Sequence, residues 1–69
     1  MMGEQSAVVM AVKAFNLHGV IYVDITVGFE DKSMENARLG PESVPGDLAV
    51  GEQVLVTRAA NMVIAVRRG

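Results

Sequence analysis

Apolar and polar residues alternate with a period of two in the second quarter of the chain. One set of alternate positions is apolar throughout and comprises Ile21, Val23, Ile25, Val27 and Phe29. The intervening set includes Asp24 and Thr26. Because neighbouring side chains of a β-strand point to opposite faces, this pattern predicts a half-buried strand over Val20–Phe29. The apolar set is expected in the core, with Asp24 and Thr26 facing outward.

Three further segments have the composition of strands but are apolar on both faces for much of their length. They are predicted as strands near Ala7–Phe15, Gln53–Arg58 and Met62–Arg67. A strand that is apolar on both faces needs either the inside of a closed barrel or a partner chain to cover its second face.

Turn residues separate the predicted strands. Gly19 can take the positive φ of a tight hairpin between the first two strands, and Asn61 can enter the left-handed region between the last two. The segment Ser33–Asp47 leaves two alternatives. Either Ser33 caps a short helical turn over Met34–Leu39, or Asn36–Leu39 forms a short third strand.

The predicted architecture is a single all-β domain over residues 1–69. Two β-hairpins are joined by an irregular loop that holds either the short helical turn or the middle strand. Two hairpins and a short middle strand are typical of a small five-stranded barrel of the OB-like or Sm-like kind.

Self-association is expected from the size of the chain. With 69 residues and no cysteine, a small core cannot be reinforced by disulfides, and oligomerisation is then a common source of stability. The first strand is predicted to expose Val8, Met10 and Val12 as an apolar patch. We therefore expect a homo-oligomer, most simply a two-fold dimer, formed through the first or last strand.

Charge and chemistry restrict the remaining functions. The net charge of −2 gives no overall attraction to nucleic acid, but five residues form a candidate ligand-binding or RNA- and DNA-binding set: Lys13, Tyr22, Arg58, Arg67 and Arg68. One histidine and no cysteine predict no metal site, and no cofactor motif occurs. No apolar run approaches the roughly 18 residues of a membrane span, so a cytoplasmic protein without membrane contact is expected.

Part of the C-terminal half resembles the TOBE/Mop family of small β-barrels. The segments Leu48–Val54 and Thr57–Val66 are similar to its glycine-containing turn and last two strands, and Asn16–Val20 and Ser43-Val44 resemble two further motifs. The resemblance implies an oligomeric barrel that holds oxyanions such as molybdate at subunit contacts. The family's Ser-Ala-Arg-Asn opening is absent, and Arg58 lies one position before the usual lysine.

The sequence therefore favours a non-catalytic, self-associating binding or assembly module. Three alternatives remain: an RNA- or DNA-binding barrel, an oxyanion-binding Mop-like protein, and a small oligomeric enzyme. The enzyme would have its site in residues 30–47, where Glu30, Asp31, Glu35 and Glu42 cluster. No catalytic residue is assigned, because nothing in the spacing around His18 favours a catalytic arrangement.

Overall fold

The structure, a computed structural model, describes residues 2–69 and contains only β-strands as regular elements in that range. The strands are β1 Met2–Leu17, β2 Val20–Gly28, β3 Met34–Leu39, β4 Gln53–Ala59 and β5 Met62–Arg68. They form one antiparallel sheet in the order β3-β2-β1-β4-β5. The predicted all-β class is confirmed.

The sheet is strongly curved but does not close. Its two edge strands, β3 and β5, approach each other, yet no backbone ladder joins them within residues 2–69. The expected closed barrel is therefore not formed. The long connection between β3 and β4 covers part of the opening, where Val44 and Leu48 are buried and the amide of Val66 donates to the carbonyl of Ser43 at 2.8 Å.

Strand β1 is longer than predicted and is shared between two neighbours. Met2–Val8 pairs with β4, and the part from Val8 to Leu17 pairs with β2. The residues between Met2 and Ala7 are mostly polar and show no apolar alternation, so the sequence pattern did not predict them as strand. Their exposed side chains are compatible with a strand because the backbone ladder to β4 holds them.

A β-bulge at Met10 changes which side chains of β1 face the core. Val9 lies opposite Val27, but Ala11 lies opposite Thr26, so Met10 is the extra residue. Ala7 and Val9 are buried before the bulge, and Val12 packs against the core after it. Val8, Met10 and Val12 therefore do not form one outward patch, because the bulge turns Val12 to the opposite face.

The core confirms the centre of the β2 pattern. Val23, Ile25 and Val27 are buried, Phe29 is half-buried against the core, and Asp24 and Thr26 lie on the other face. Ile21 was also expected in the core, but it is 46% exposed. The reason is that β3 begins to pair with β2 only at Val23, so the end of the β1–β2 hairpin projects beyond its neighbours.

The middle segment forms a strand and not a helical turn. Met34–Leu39 pairs with β2 over its whole length, two residues longer than the predicted strand alternative. Ser33 does not cap a helix; its amide and hydroxyl donate to the Asp31 carboxylate at 3.0 and 2.5 Å. The helical alternative is therefore wrong.

Two tight turns close the hairpins. His18 and Gly19 have φ values of 54° and 83°, as a two-residue hairpin turn requires, and the Gly19 amide donates to Asn16 Oδ1 at 3.0 Å. In the second turn the left-handed residue is Ala60, with φ 55°, and not the expected Asn61.

Candidate functional site

Two of the predicted basic ligand-binding residues, Arg67 and Arg68, are held in ion pairs on β5. Arg67 donates to both carboxylate oxygens of Glu4 at 2.7 and 3.0 Å. Arg68 donates to Glu52 and, at 3.0 Å, to Asp47. The hydrogen bonds from Arg67 and Arg68 hold the pKa values of the Glu4 and Glu52 carboxyls below their ordinary values. An anionic ligand would have to displace these carboxylates.

Arg58 is a half-buried residue of β4 at one end of the curved sheet, beside Phe29, which packs against the core. Its guanidinium pairs with Glu35, contacts Gln5 Oε1 at 3.3 Å and lies 5.4 Å from the centre of the Phe29 ring. Its Nε atom is buried and has no hydrogen-bond partner among residues 2–69. The Glu35 carboxylate already neutralises the charge that an oxyanion would need.

A cavity of about 350 Å³ adjoins this end of the sheet. It is lined by Gln5, Ser6, Phe29, Glu30 and Asp31. Hydrogen bonds from Ser33 lower the pKa of Asp31, so this carboxylate stays charged to lower pH than usual. The negative lining further opposes an anion near Arg58. No group of three or more acidic or histidine side chains in residues 2–69 has the arrangement of a metal site.

The other two predicted ligand-binding residues, Lys13 and Tyr22, lie on the outer face of the β1–β2 hairpin. Tyr22 stacks on Phe15 with 5.9 Å between ring centres, and the Arg38 guanidinium lies 4.7 Å from the Phe15 ring centre. Lys13 is the cross-strand neighbour of Asp24, and the Asp24 carboxylate pairs with Arg38 at 3.7 Å. We call Lys13, Phe15, Tyr22 and Arg38 the aromatic–basic face.

Sequence reasoning did not find two members of this face. Phe15 was not among the candidate residues, because nothing in the sequence marks the Met10 bulge that turns its half-buried side chain to the outer face. Arg38 was missed because its segment was divided between helix and strand. In a strand register Asn36 and Arg38 alternate with the inward Ala37 and Leu39, so the strand alternative contained the signal.

The same hairpin carries an unpaired strand edge. The side of β1 that faces β4 is occupied from Met2 to Val8, followed by two hydrogen bonds at Val9. Over Ala11–Leu17 no backbone ladder occupies this side among the residues that the structure describes. We call Ala11–Leu17 the open edge.

Apolar side chains surround the open edge and the hairpin end. Met10, Leu17, Val20 and Ile21 are between 40% and 49% exposed. A groove of about 320 Å³ beside Gly28 is lined by Val8, Met10, Phe29 and Met34, together with the polar Lys32 and Ser33. The predicted interface residues Val8 and Met10 therefore lie in this groove, while Val12 lies on the open edge itself.

Comparison with protein-family models, with curated proteins and with solved structures finds no match for this chain. The similarity to TOBE/Mop domains therefore rests on the short sequence segments described above. Within residues 2–69 no helix has the length and apolar character needed to cross a bilayer.

Proposed function

We propose that this protein is a non-catalytic assembly module that associates with copies of itself through the β1–β2 hairpin. The observation that carries the proposal is the open edge, because unpaired strand edges flanked by apolar side chains readily pair with another chain. Soluble monomers usually protect such an edge with charges, a proline or a covering loop. The open edge has a single charged residue, Lys13.

The last strand was the other predicted route to an oligomer, and it has less support. The amide of Val66 on β5 is already bonded to the carbonyl of Ser43, and Arg67 and Arg68 place charges along the same strand. These features protect the edge of β5 in the way that natural sheets protect theirs.

Light scattering at micromolar concentration tests the proposal, with a mass of at least two chains expected. Leu17→Lys introduces a charge at the hairpin end and should shift the protein toward monomer. Met62→Lys is the matched control, because Met62 is an exposed apolar residue (68%) on β5. A monomeric parent protein, or an equal loss of association in both variants, would refute the proposal.

A second candidate function is binding of single-stranded nucleic acid at the aromatic–basic face. The stacked rings of Phe15 and Tyr22, with Arg38 against them, offer a base-stacking surface beside positive charge. Fluorescence anisotropy with a labelled oligonucleotide should then show salt-sensitive binding that Tyr22→Ala abolishes and Arg67→Ala preserves. Equal binding by both variants would exclude this face.

The oxyanion-binding and enzymatic alternatives have less support from the contacts. Arg58, the predicted ligand-binding cation on β4, is paired with Glu35 and adjoins a negatively lined cavity. Residues 30–47 contribute a strand, turns and core-covering side chains to the fold.

A further inference from the structure

The backbone of the open edge has a definite pattern of exposed hydrogen-bonding groups. Leu17 and Val20 flank the two-residue turn. In such a hairpin the two flanking residues bond to each other through their backbone N–H and C=O groups. Hydrogen-bonding direction alternates along a strand, so Asn16, Ala14 and Val12 direct their N–H and C=O groups away from β2. The bonds of Val9 to Glu52 and Gly51, on the same side of β1 just before the bulge, agree with this alternation.

We infer that the occupant of the open edge is the same edge of a second copy, paired antiparallel with Ala14 opposite Ala14. This inference rests on the proposed self-association and names its contact. A two-fold axis at Ala14 maps Ala11–Leu17 onto itself and places Val12 opposite Asn16 at both ends. The N–H and C=O groups of Val12, Ala14 and Asn16 in each copy, which point away from β2, then all bond to the other copy. The two sheets join into one.

The three neighbouring registers of this antiparallel pair are each less favourable than the one centred on Ala14. Centring the pair on Lys13 would place the two lysines directly opposite each other, which is unfavourable. Centring it on Phe15 would leave Val12 opposite the turn residue His18 and without a strand partner. Centring it on Val12 would place Asn16 opposite Val8, whose corresponding side is already occupied by β4.

The Ala14 register also keeps the two Lys13 side chains from lying directly opposite each other. Within its own copy Lys13 lies across from Asp24. Across the two-fold axis it lies opposite Phe15 of the second copy, a ring that already has the Arg38 guanidinium near it. Phe15 is uncharged and also stacks on Tyr22, so Lys13 has no like charge directly opposite it, and the edge is complementary to itself in hydrogen bonding. These features favour a second copy over an unrelated strand as the occupant.

Disulfide trapping tests the register directly, because the chain contains no cysteine. In the proposed pair the two Ala14 Cα atoms are about 5.5 Å apart, within the range that a disulfide spans. The two Lys13 Cα atoms are diagonal neighbours at about 8 Å, beyond that range. Under mild oxidation Ala14→Cys should therefore yield covalent dimers, and Lys13→Cys alone or Phe15→Cys alone should yield few.

A mixture of the Lys13→Cys and Phe15→Cys proteins provides a positive control. Those two positions face each other across the proposed contact at about 4.5 Å, so the mixture should give covalent heterodimers. Ala14→Pro removes an amide that is directed to the partner and not to β2, so the chain should keep its β-sheet circular dichroism while its mass falls to that of one chain.

The outcomes separate this inference from the proposed function. A parent dimer that is trapped by Ala14→Cys and lost in Ala14→Pro supports both. A parent oligomer that is trapped instead by Lys13→Cys alone or Phe15→Cys alone, or that Ala14→Pro leaves intact, overturns the contact but preserves self-association. A monomeric parent protein overturns both and leaves the open edge for a strand of another protein.

Discussion

Two isoleucines on the same face of β2 test whether the end of the β1–β2 hairpin projects beyond the core. Ile25 is fully buried, whereas Ile21 is 46% exposed four residues nearer the turn. Replacing each with alanine removes the same three carbon atoms, worth about 2.4 kcal/mol of burial at about 0.8 kcal/mol per carbon. The two substitutions differ in how much of the removed side chain is buried in the folded protein.

At Ile25 the whole burial term is lost and a cavity is left in the closed part of the core. The expected cost of Ile25→Ala is about 3–4 kcal/mol. At Ile21 about half of the side chain is already in water and no closed cavity forms, so Ile21→Ala should cost about 1 kcal/mol. A 69-residue chain has a total stability of about 3–10 kcal/mol, so Ile25→Ala brings the protein near its unfolding threshold.

Urea unfolding followed by far-ultraviolet circular dichroism measures both costs, at one protein concentration because association adds to stability. If Ile25→Ala does not fold, the valine variants retain the comparison, with about 1 kcal/mol expected at Ile25 and a few tenths at Ile21. Equal costs at the two positions would refute the view that the hairpin end projects from the core.

Two further predictions concern the turn at Ala60 and the loss of stability at low pH. Ala60→Gly should stabilise the protein by about 0.5 kcal/mol because Ala60 has a φ of 55°, whereas Ala49→Gly, at a turn position without positive φ, should destabilise it; thermal unfolding of both variants checks the sign. The melting temperature should fall as pH is lowered through the range in which carboxylates titrate. The reason is that Glu4 and Glu52 have lowered pKa values in the folded state. Their ion pairs therefore stabilise the fold above the unfolded-state pKa, and this stabilisation is lost when they are protonated. The double variant Glu4→Gln/Glu52→Gln should show a shallower fall than Glu30→Gln, and identical profiles would contradict the role of these ion pairs.

The elements that the sequence predicted well are those in which a single pattern decides the structure. The alternation from Val23 to Val27 predicted both the strand and its inward face, and the structure confirms both, since Val23, Ile25 and Val27 are buried. The two-residue turn at Gly19 and the strands β4 and β5 were predicted within a residue or two of their ends.

The parts that were missed depend on contacts distant in sequence. The side chain of Phe15 faces outward because one extra residue at Met10 changes the alternation, and no local pattern marks that residue. Ile21 is exposed because β3 stops short of it, which the β2 sequence does not encode. Arg58 was selected as a candidate ligand-binding residue, but its partner Glu35 lies on a strand that the sequence left undecided.

The bulge at Met10 also determines how this strand responds to changes in chain length. The segment before it faces the core with Ala7 and Val9, and the segment after it with Val12. Deleting one residue here would force one of the two halves to turn over, bringing Lys13 and Phe15 toward the core or Val9 away from it. We expect position 10 to accept many different side chains but not a deletion. In the evolution of this chain, spacing at that point would be constrained more strongly than residue identity.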